Sequence, residues 1–544
     1  MAKIFTLDSA KSECCFFTTW TKEAAWRPYV KIGGKEIPFT ANPRLLGVLL
    51  DRQLTFGPQT ETVTKEATSK LRMLASLAHS EYGWNRNHLG VIYSTFVRTK
   101  LDYAAGSWQP WLSPSNVHRL DIVQNKGMRI ISGQYKATPI ESLRAEMHMP
   151  GYQTHINHAC LVSMEKAARL PTDHPRRKAL DSAISSKNTR ASWFSRGKLL
   201  TERHLPERFN NRLPICIDRK SPWKENCRID IHDVLEGVAS RSDPKEVIRR
   251  AALARVEEVS PDITVYTDGS ASEGIRDGGS AAVITCGPGE NPLPMQVISS
   301  RGAEETSSYE EELQAMKDAV KWIGDECDED SLVMICTDSQ SLCKAMMNPE
   351  ELVELGGLLD RCKARLVIQW VPGHSDVPGN EIADREAKAA TQLEGDPRPI
   401  SFHAVKNFIM NNLKQSDDEK MKVEYHERST KVYKNMSRKR DQSLVTRAEQ
   451  VYVARLRSGK HKGFRSYQHL LDPSIDPACP RCDSGDEDNL EHWIECAGTA
   501  AARMRNFGKV EVELGILTED ARGSMVLARS TLRGTDRRAA TDRL

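Results

Sequence analysis

Several features are missing from this sequence, and each absence excludes a class. No run approaches the ~20 consecutive apolar residues that a membrane-spanning helix needs, so no membrane partner is expected. The start, MAKIFTLDSAKSECCFF, has no basic stretch leading into an apolar core, so no secretory signal is read there. Thirteen cysteines is an odd count, and most fall at irregular intervals. A reduced intracellular chain, nuclear or cytoplasmic, fits that usage better than a disulfide framework. A bulk excess of one charge is lacking too: 77 Lys and Arg face 74 Asp and Glu, net +3, so overall charge does not advertise nucleic-acid binding. No internal repeat is visible.

What is present describes a globular chain, 39% hydrophobic and 28% charged. Its 544 residues are too many for one core, so three or four units are expected. Charge is segregated along the chain. Acidic residues crowd 304–330, and basic ones gather at 436–440, at 455–462 and in the tail, which suggests separate working surfaces.

Residues 1–170 read as mainly helical, with amphipathic patterns at 60–80, 86–105 and 115–132 and a strand and turn in PRLLGVLLDRQLTF. Residues 171–258 are polar with scattered Pro and Arg, and read as a connector. Texture changes at 259–395. DITVYTDGS, SAAVIT and MQVISSRGA read as strands, SYEEELQAMKDAVKWI as a helix and LVMICTD as a buried strand. SQSLCKAMM then reads as a helix, RLVIQWVPG as a strand and GNEIADREAKAATQ as a closing helix. This order predicts an α/β unit, a mixed five-stranded sheet with flanking helices. A basic helical segment (396–470), a Cys- and His-bearing segment (471–500) and a basic tail (501–544) follow.

Four acids stand at strand ends or helix starts: Asp268 before Gly-Ser, Glu312, Asp338 and Asp384. Elements of a sheet can bring such positions to one edge. Four carboxylates together repel, so their convergence calls for cations, and oxygen ligands without Cys or His favour Mg²⁺ or Mn²⁺. Two such ions can activate a water and stabilise the leaving oxygen of a phosphodiester. Alone, each acid has a plainer reading, since Asp before Gly-Ser is a common turn former and a helical Glu is usually solvated.

The local contexts VYTDGSA, SSYEEELQAM, ICTDSQSL and WVPGHSDVPGNEIADREAK, in that order, resemble the type 1 ribonuclease H family. The resemblance implies a metal-dependent endonuclease cutting the RNA strand of RNA–DNA hybrids, with Asp268, Glu312, Asp338 and Asp384 holding two Mg²⁺ or Mn²⁺ ions. Glu312 is preferred to Glu310 or Glu311 on the Glu-Leu-x-Ala pattern. His374 matches the family's mobile histidine, which suits proton transfer or product release because imidazole titrates near neutral pH. Gln340, Asn380 and Ser308, the last standing where many relatives have Asn, are the positions it implies for the substrate. Recognition would rest on 2′-hydroxyls and groove shape.

Cys479-Pro-Arg-Cys482 followed by His492 and Cys496 has zinc-ligand spacing, with the last pair at i and i+4 on one helix. The segment resembles the finger that trails the ribonuclease H domain in many non-LTR retrotransposon polyproteins. That resemblance, with TRAEQVYVARLRSGK ahead of it, implies phosphate contacts from Arg455, Arg457, Lys460 and Lys462. KSECCFFTTW, LLGVLLDRQLTF, TKLDYAAGSWQPWL and RLDIVQNKGMRIISG resemble the post-palm end of ingi- and jockey-like reverse transcriptases. The polymerase hairpin signature is absent, its only Asp-Asp pair being Asp417-Asp418 in the polar KQSDDEK, so no polymerase activity is expected. The alternative reading is a non-catalytic nucleic-acid-binding remnant. The oligomeric state is left open.

Overall fold

A computed structural model of the chain describes residue 8 and residues 11–18, 20–23, 25–185, 193–214, 228–238, 243–286, 294–347, 352–424, 432–433 and 444–532. The basic run at 436–440 and the end of the tail lie outside these residues. Two compact units emerge: residues 164–183 with 201–410, and residues 1–163 with 184–200 and 411–544.

The first unit is built on one sheet. Its strands are β1 (Ile229–His232), β2 (Ile263–Ser272), β3 (Arg276–Cys286), β4 (Pro294–Arg301), β5 (Leu332–Thr337) and β6 (Arg365–Trp370), in spatial order β1-β6-β5-β2-β3-β4. The four strands β1, β6, β5 and β2 are parallel, and β2-β3-β4 is an antiparallel meander. Parallel strands are covered on both faces, which is why LVMICT and RLVIQW are unbroken apolar runs. Helices α1 (Lys245–Val259), α2 (Ser308–Glu326), α3 (Gln340–Met347), α4 (Val353–Leu359) and α5 (Pro378–Ala390) belong to the same unit. Helix α2 starts where the Ser307 hydroxyl accepts from the Glu310 amide, and buries Met316, Ala319, Val320 and Ile323.

Six strands, not five, form this sheet. The sixth, β1, and helix α1 both come from the stretch read as a connector. IDIH is too short and too polar in its surroundings to stand out by periodicity, and its hydrogen-bond partners are supplied by the open edge of β6. Helix α1 buries Ile248, Ala252 and Val256 in the same core, where a fully buried Ile or Val contributes about 1.5–3 kcal/mol. A second difference lies at Asp268-Gly-Ser, which is not a turn. The chain continues as strand to Ser272 because β3 supplies partners, with Asp268 opposite Ala281 and Gly269 opposite Ser280.

The second unit is mainly helical. Helices Gly57–Ser76, Arg86–Ile92 and Pro114–Ser132 bury Leu71, Leu74, Leu89, Leu120, Val123 and Ile131 around Tyr93 and Trp108, and Arg44–Leu45 pairs with Val48–Leu49 as a small hairpin. Asp417 lies on the helix Phe402–Glu424. One expectation is corrected here, that Arg455 and Arg457 face phosphates. Arg457 is 3% exposed, donates to the Leu517 carbonyl at 2.8 Å and pairs with buried Glu146, which Arg86 also contacts. Burial alone would raise the Glu146 carboxyl, but the Arg86 and Arg457 guanidiniums hold it below the usual carboxylate range. Arg455 lies 4.0 Å from the Tyr135 ring and donates to the Gly133 carbonyl at 2.9 Å. A buried anion needs cations beside it, and these arginines are spent on packing. No helix among the described residues is long and apolar enough to cross a membrane.

Candidate active site

The parallel pairing of β2 and β5 ends at Thr267 opposite Thr337, so Asp268 and Asp338 each stand one residue beyond it, side by side at the carboxyl edge of the sheet. Helix α2 brings in the third acid. A Cβ on Gly269 would lie 2.1 Å from the Glu312 amide nitrogen, so only glycine lets the second turn of α2 rest on β2. Carboxylate oxygens of Asp268, Glu312 and Asp338 lie within 4.8 Å of one another. The Pro-Gly-His loop passes close by, since a Cβ on Gly373 would stand 2.4 Å from Asp338 Oδ2. His374 and Asp376 then take left-handed backbone conformations (φ 55° and 58°), which non-glycine residues rarely adopt, and His374 is exposed. His374, Glu381 and Asp384 offer a second group of ligand atoms within 4.8 Å.

The neighbouring acids separate in function. Glu311 is buried, accepts from Thr306 Oγ1 at 2.7 Å and pairs with Arg398. Glu310 bonds Ser401. Both are occupied by structural partners, and Glu312 alone of the three joins the two aspartates. Burial, then Asp338 and Asp384, push the Asp268 carboxyl up to about 8. Excess negative charge of this kind fits hard divalent cations, and the all-oxygen donors of Asp268, Glu312 and Asp338 match Mg²⁺ or Mn²⁺. Lys388, one helical turn after Asp384, donates to its Oδ2 at 2.7 Å.

A linked effect follows for stability. An unfolded Asp titrates near ~3.9, so with divalent ions chelated the native state holds a proton the unfolded state lacks from about pH 4 to about 8. The raised native value means that stability falls as pH rises through that window, by at most about 1.4 kcal/mol per pH unit. Urea midpoints in EDTA at pH 5 and pH 7.5 should therefore fall further for the unaltered chain than for Asp268→Asn, and Mg²⁺ should shrink the difference. Parallel curves for the two proteins would contradict the shift.

The positions implied for the substrate are treated unequally. Ser308 is exposed as the first residue of α2. Gln340 opens α3, half-buried, with Nε2 donating to the Asp233 carbonyl at 2.9 Å. Asn380 is 2% exposed, with no hydrogen-bond partner for Oδ1 among the described residues. Helix α5, which carries Asn380 in its first turn, packs on β2 and β3. Lys388 and Glu381 were missed from sequence. A basic residue four after Asp384 was the available signal for Lys388, whereas nothing local marks Glu381, whose carboxylate accepts from the Asp376 amide at 3.2 Å.

Residues 260–392 match the RNase H family. The ribonuclease H of Chromohalobacter salexigens is 32% identical over 149 residues, covering 24% of this chain and 85% of that protein. The chain belongs to the ribonuclease H family. The ribonuclease H of Nitratidesulfovibrio vulgaris is 29% identical over 162 residues, covering 26% of this chain and 97% of its own length. For that of Ruegeria sp. the figures are 29% over 147 residues, 24% and 90%. All four acids, His374 and Gln340 fall inside the matched ribonuclease H region.

A second cluster lies outside the ribonuclease H region. Ligand atoms of Cys479, Cys482, His492 and Cys496 lie within 4.8 Å of one another. Cys479 Sγ and Cys496 Sγ are 3.9 Å apart, and Cys482 Sγ is 3.3 Å from His492 Nε2. Zinc–sulfur bonds of ~2.3 Å in a tetrahedron give edges of about 3.8 Å, so three thiols and an imidazole at these separations fit zinc. The loop is shaped by Cys479 N donating to the Asp486 carbonyl at 2.8 Å, and Asn489 caps the short helix that carries His492. Asp486 Oδ2 lies 3.4 Å from His492 Nδ1, the outer partner that orients a ligating imidazole.

Proposed function

We propose that this chain is an endonuclease that hydrolyses the RNA strand of RNA–DNA hybrids at the Asp268, Glu312, Asp338 and Asp384 site. The observation that carries the reading is the convergence of Asp268, Glu312 and Asp338 at one sheet edge inside the region that matches the ribonuclease H family. Two Mg²⁺ or Mn²⁺ ions held by the four acids would supply an activated water and charge at the leaving oxygen. The acids fix the position of that charge, and the sheet edge and α2 hold them before substrate arrives. Lys388 balances Asp384. His374, on an exposed and strained loop beside Asp384, carries a proton to or from the reacting oxygens. His374→Ala should lower turnover by about 10²–10⁴-fold, the usual worth of a positioned acid or base, while leaving measurable cleavage. Turnover equal to the unaltered chain would remove His374 from the mechanism. Cleavage of a labelled hybrid with Mg²⁺, and its loss on chelation, tests the main reading; metal-independent cutting would overturn it.

Two finer assignments belong to the same proposal. The Cys479, Cys482, His492 and Cys496 cluster holds one structural zinc ion, supported by its donor set and spacing. The whole chain derives from the C-terminal part of a non-LTR retrotransposon polyprotein, supported by the sequence resemblances at 1–170 and 446–496.

A further inference from the structure

The family match begins at residue 260, yet the sheet it belongs to begins at Ile229. Strand β1 pairs with β6 from Leu366 opposite Ile229 to Gln369 opposite His232. Leu235 and Val238, in the loop after β1, are buried in the same core as Ile248, Ala252 and Val256 of α1. That loop is gripped by two glutamines of the matched region. Gln340 Nε2 donates to the Asp233 carbonyl at 2.9 Å, and Gln369 Nε2 donates to the Val234 carbonyl at 2.8 Å. Arg255 of α1 closes the ring by donating to Gln369 Oε1 at 3.2 Å. Lys245 reaches Asp376 at 3.0 Å, but both side chains are mostly exposed and such a pair contributes little. Strand pairing and core burial hold the segment to the sheet, and the two glutamines fix the loop at Asp233 and Val234.

Gln340 stands two residues after Asp338, at the start of the helix that follows β5. A carbonyl can only accept, so the bond to Asp233 fixes which end of the Gln340 amide faces the loop and turns its oxygen the other way. We propose that strand β1 with its loop at 233–238, together with helix α1, is a brace for the ribonuclease site, locking Gln340 as a pre-set hydrogen-bond acceptor for a donor on the hybrid. This rests on the reading of Gln340 as a substrate contact. Gln is a rotamer-rich side chain, and ordering it in advance removes a cost otherwise borne on binding. The positioning residues are Gln369 and Leu235, which act on the substrate only through Gln340.

The test uses the full chain carrying Gln369→Leu or Leu235→Ala, each alone and combined with Gln340→Ala. Losing one net hydrogen bond's worth of positioning should raise KM for a labelled hybrid about 3- to 10-fold with kcat little changed. In the Gln340→Ala background the same substitutions should raise KM no further. An unchanged KM, or an equal rise with and without Gln340, would overturn the brace. Hydrogen exchange at residues 234–238, read against exchange in β5 as a control for folding, gives a readout independent of activity. Gln340→Ala should speed exchange there, and unchanged exchange would also overturn the proposal. If the unaltered chain neither cut nor bound hybrid, the ribonuclease reading would fall and the substrate role of Gln340 with it, whereas unchanged exchange in an active chain would overturn the brace alone.

Discussion

Asp338→Asn should abolish hybrid cleavage while leaving the fold intact. Asn has the shape of Asp but lacks the negative charge a divalent cation needs. With several kcal/mol of charge stabilisation lost at a tenfold rate change per 1.36 kcal/mol, the rate should drop at least about a thousandfold. The fold should not suffer, because the Trp370 Nε1 proton goes to the Asp338 backbone carbonyl, at 3.2 Å, and that bond survives the change. Removing one charge also relieves the repulsion that raises Asp268, so the metal-free variant should unfold at an equal or higher temperature. Calorimetry and single-turnover cleavage together check this. Cleavage at the unaltered rate would sink the carboxylate assignment, and a collapsed fold would mean Asp338 is structural.

The second large effect is expected at the cysteine cluster. Replacing Cys479 and Cys482 together by Ser removes two of the four proposed ligands, and bound zinc should fall from one ion per chain to none. Structural zinc sites in small fingers contribute roughly 10–16 kcal/mol, which is folding free energy. The neighbourhood is not only a metal clip, however. Trp493, Leu490 and Ile494 are buried with Phe464, Tyr467, Leu517 and Leu527. Zinc loss should therefore unfold the 476–488 loop, seen as protease cleavage there, while the helix Leu490–Glu495 and its neighbours persist. Salt-sensitive hybrid affinity should weaken if the loop touches phosphates. Unchanged zinc content would show that the cluster is no site, and a loop equally resistant to protease without zinc would contradict the folding role.

How far the sequence revealed all this depended on whether the cause was local. The strands ITVYT, LVMICT and RLVIQW announce themselves by apolar, β-branched runs, and α2 by its apolar spacing, because burial against one sheet imposes those patterns. The choice of Glu312 also came from a local pattern, and the structure gives its reason in the partners that occupy Glu310 and Glu311. Strand β1 was invisible because four residues carry too little period, and its partner lies far along the chain at β6. Arg457 was misread for a related reason. A cation in an Arg-Leu-Arg helix looks solvated until Glu146, distant in sequence, is seen beside it.

The central claim is tested most directly by one measurement: the purified chain with Mg²⁺ on RNA–DNA hybrid, duplex RNA and single-stranded RNA of the same sequence, each strand labelled separately. Expected are internal cuts in the RNA strand of the hybrid alone, an intact DNA strand, little or no cutting of the other two substrates, and no cutting in EDTA. Equal cutting of single-stranded RNA, or an uncut hybrid at any Mg²⁺ or Mn²⁺ concentration, would contradict it.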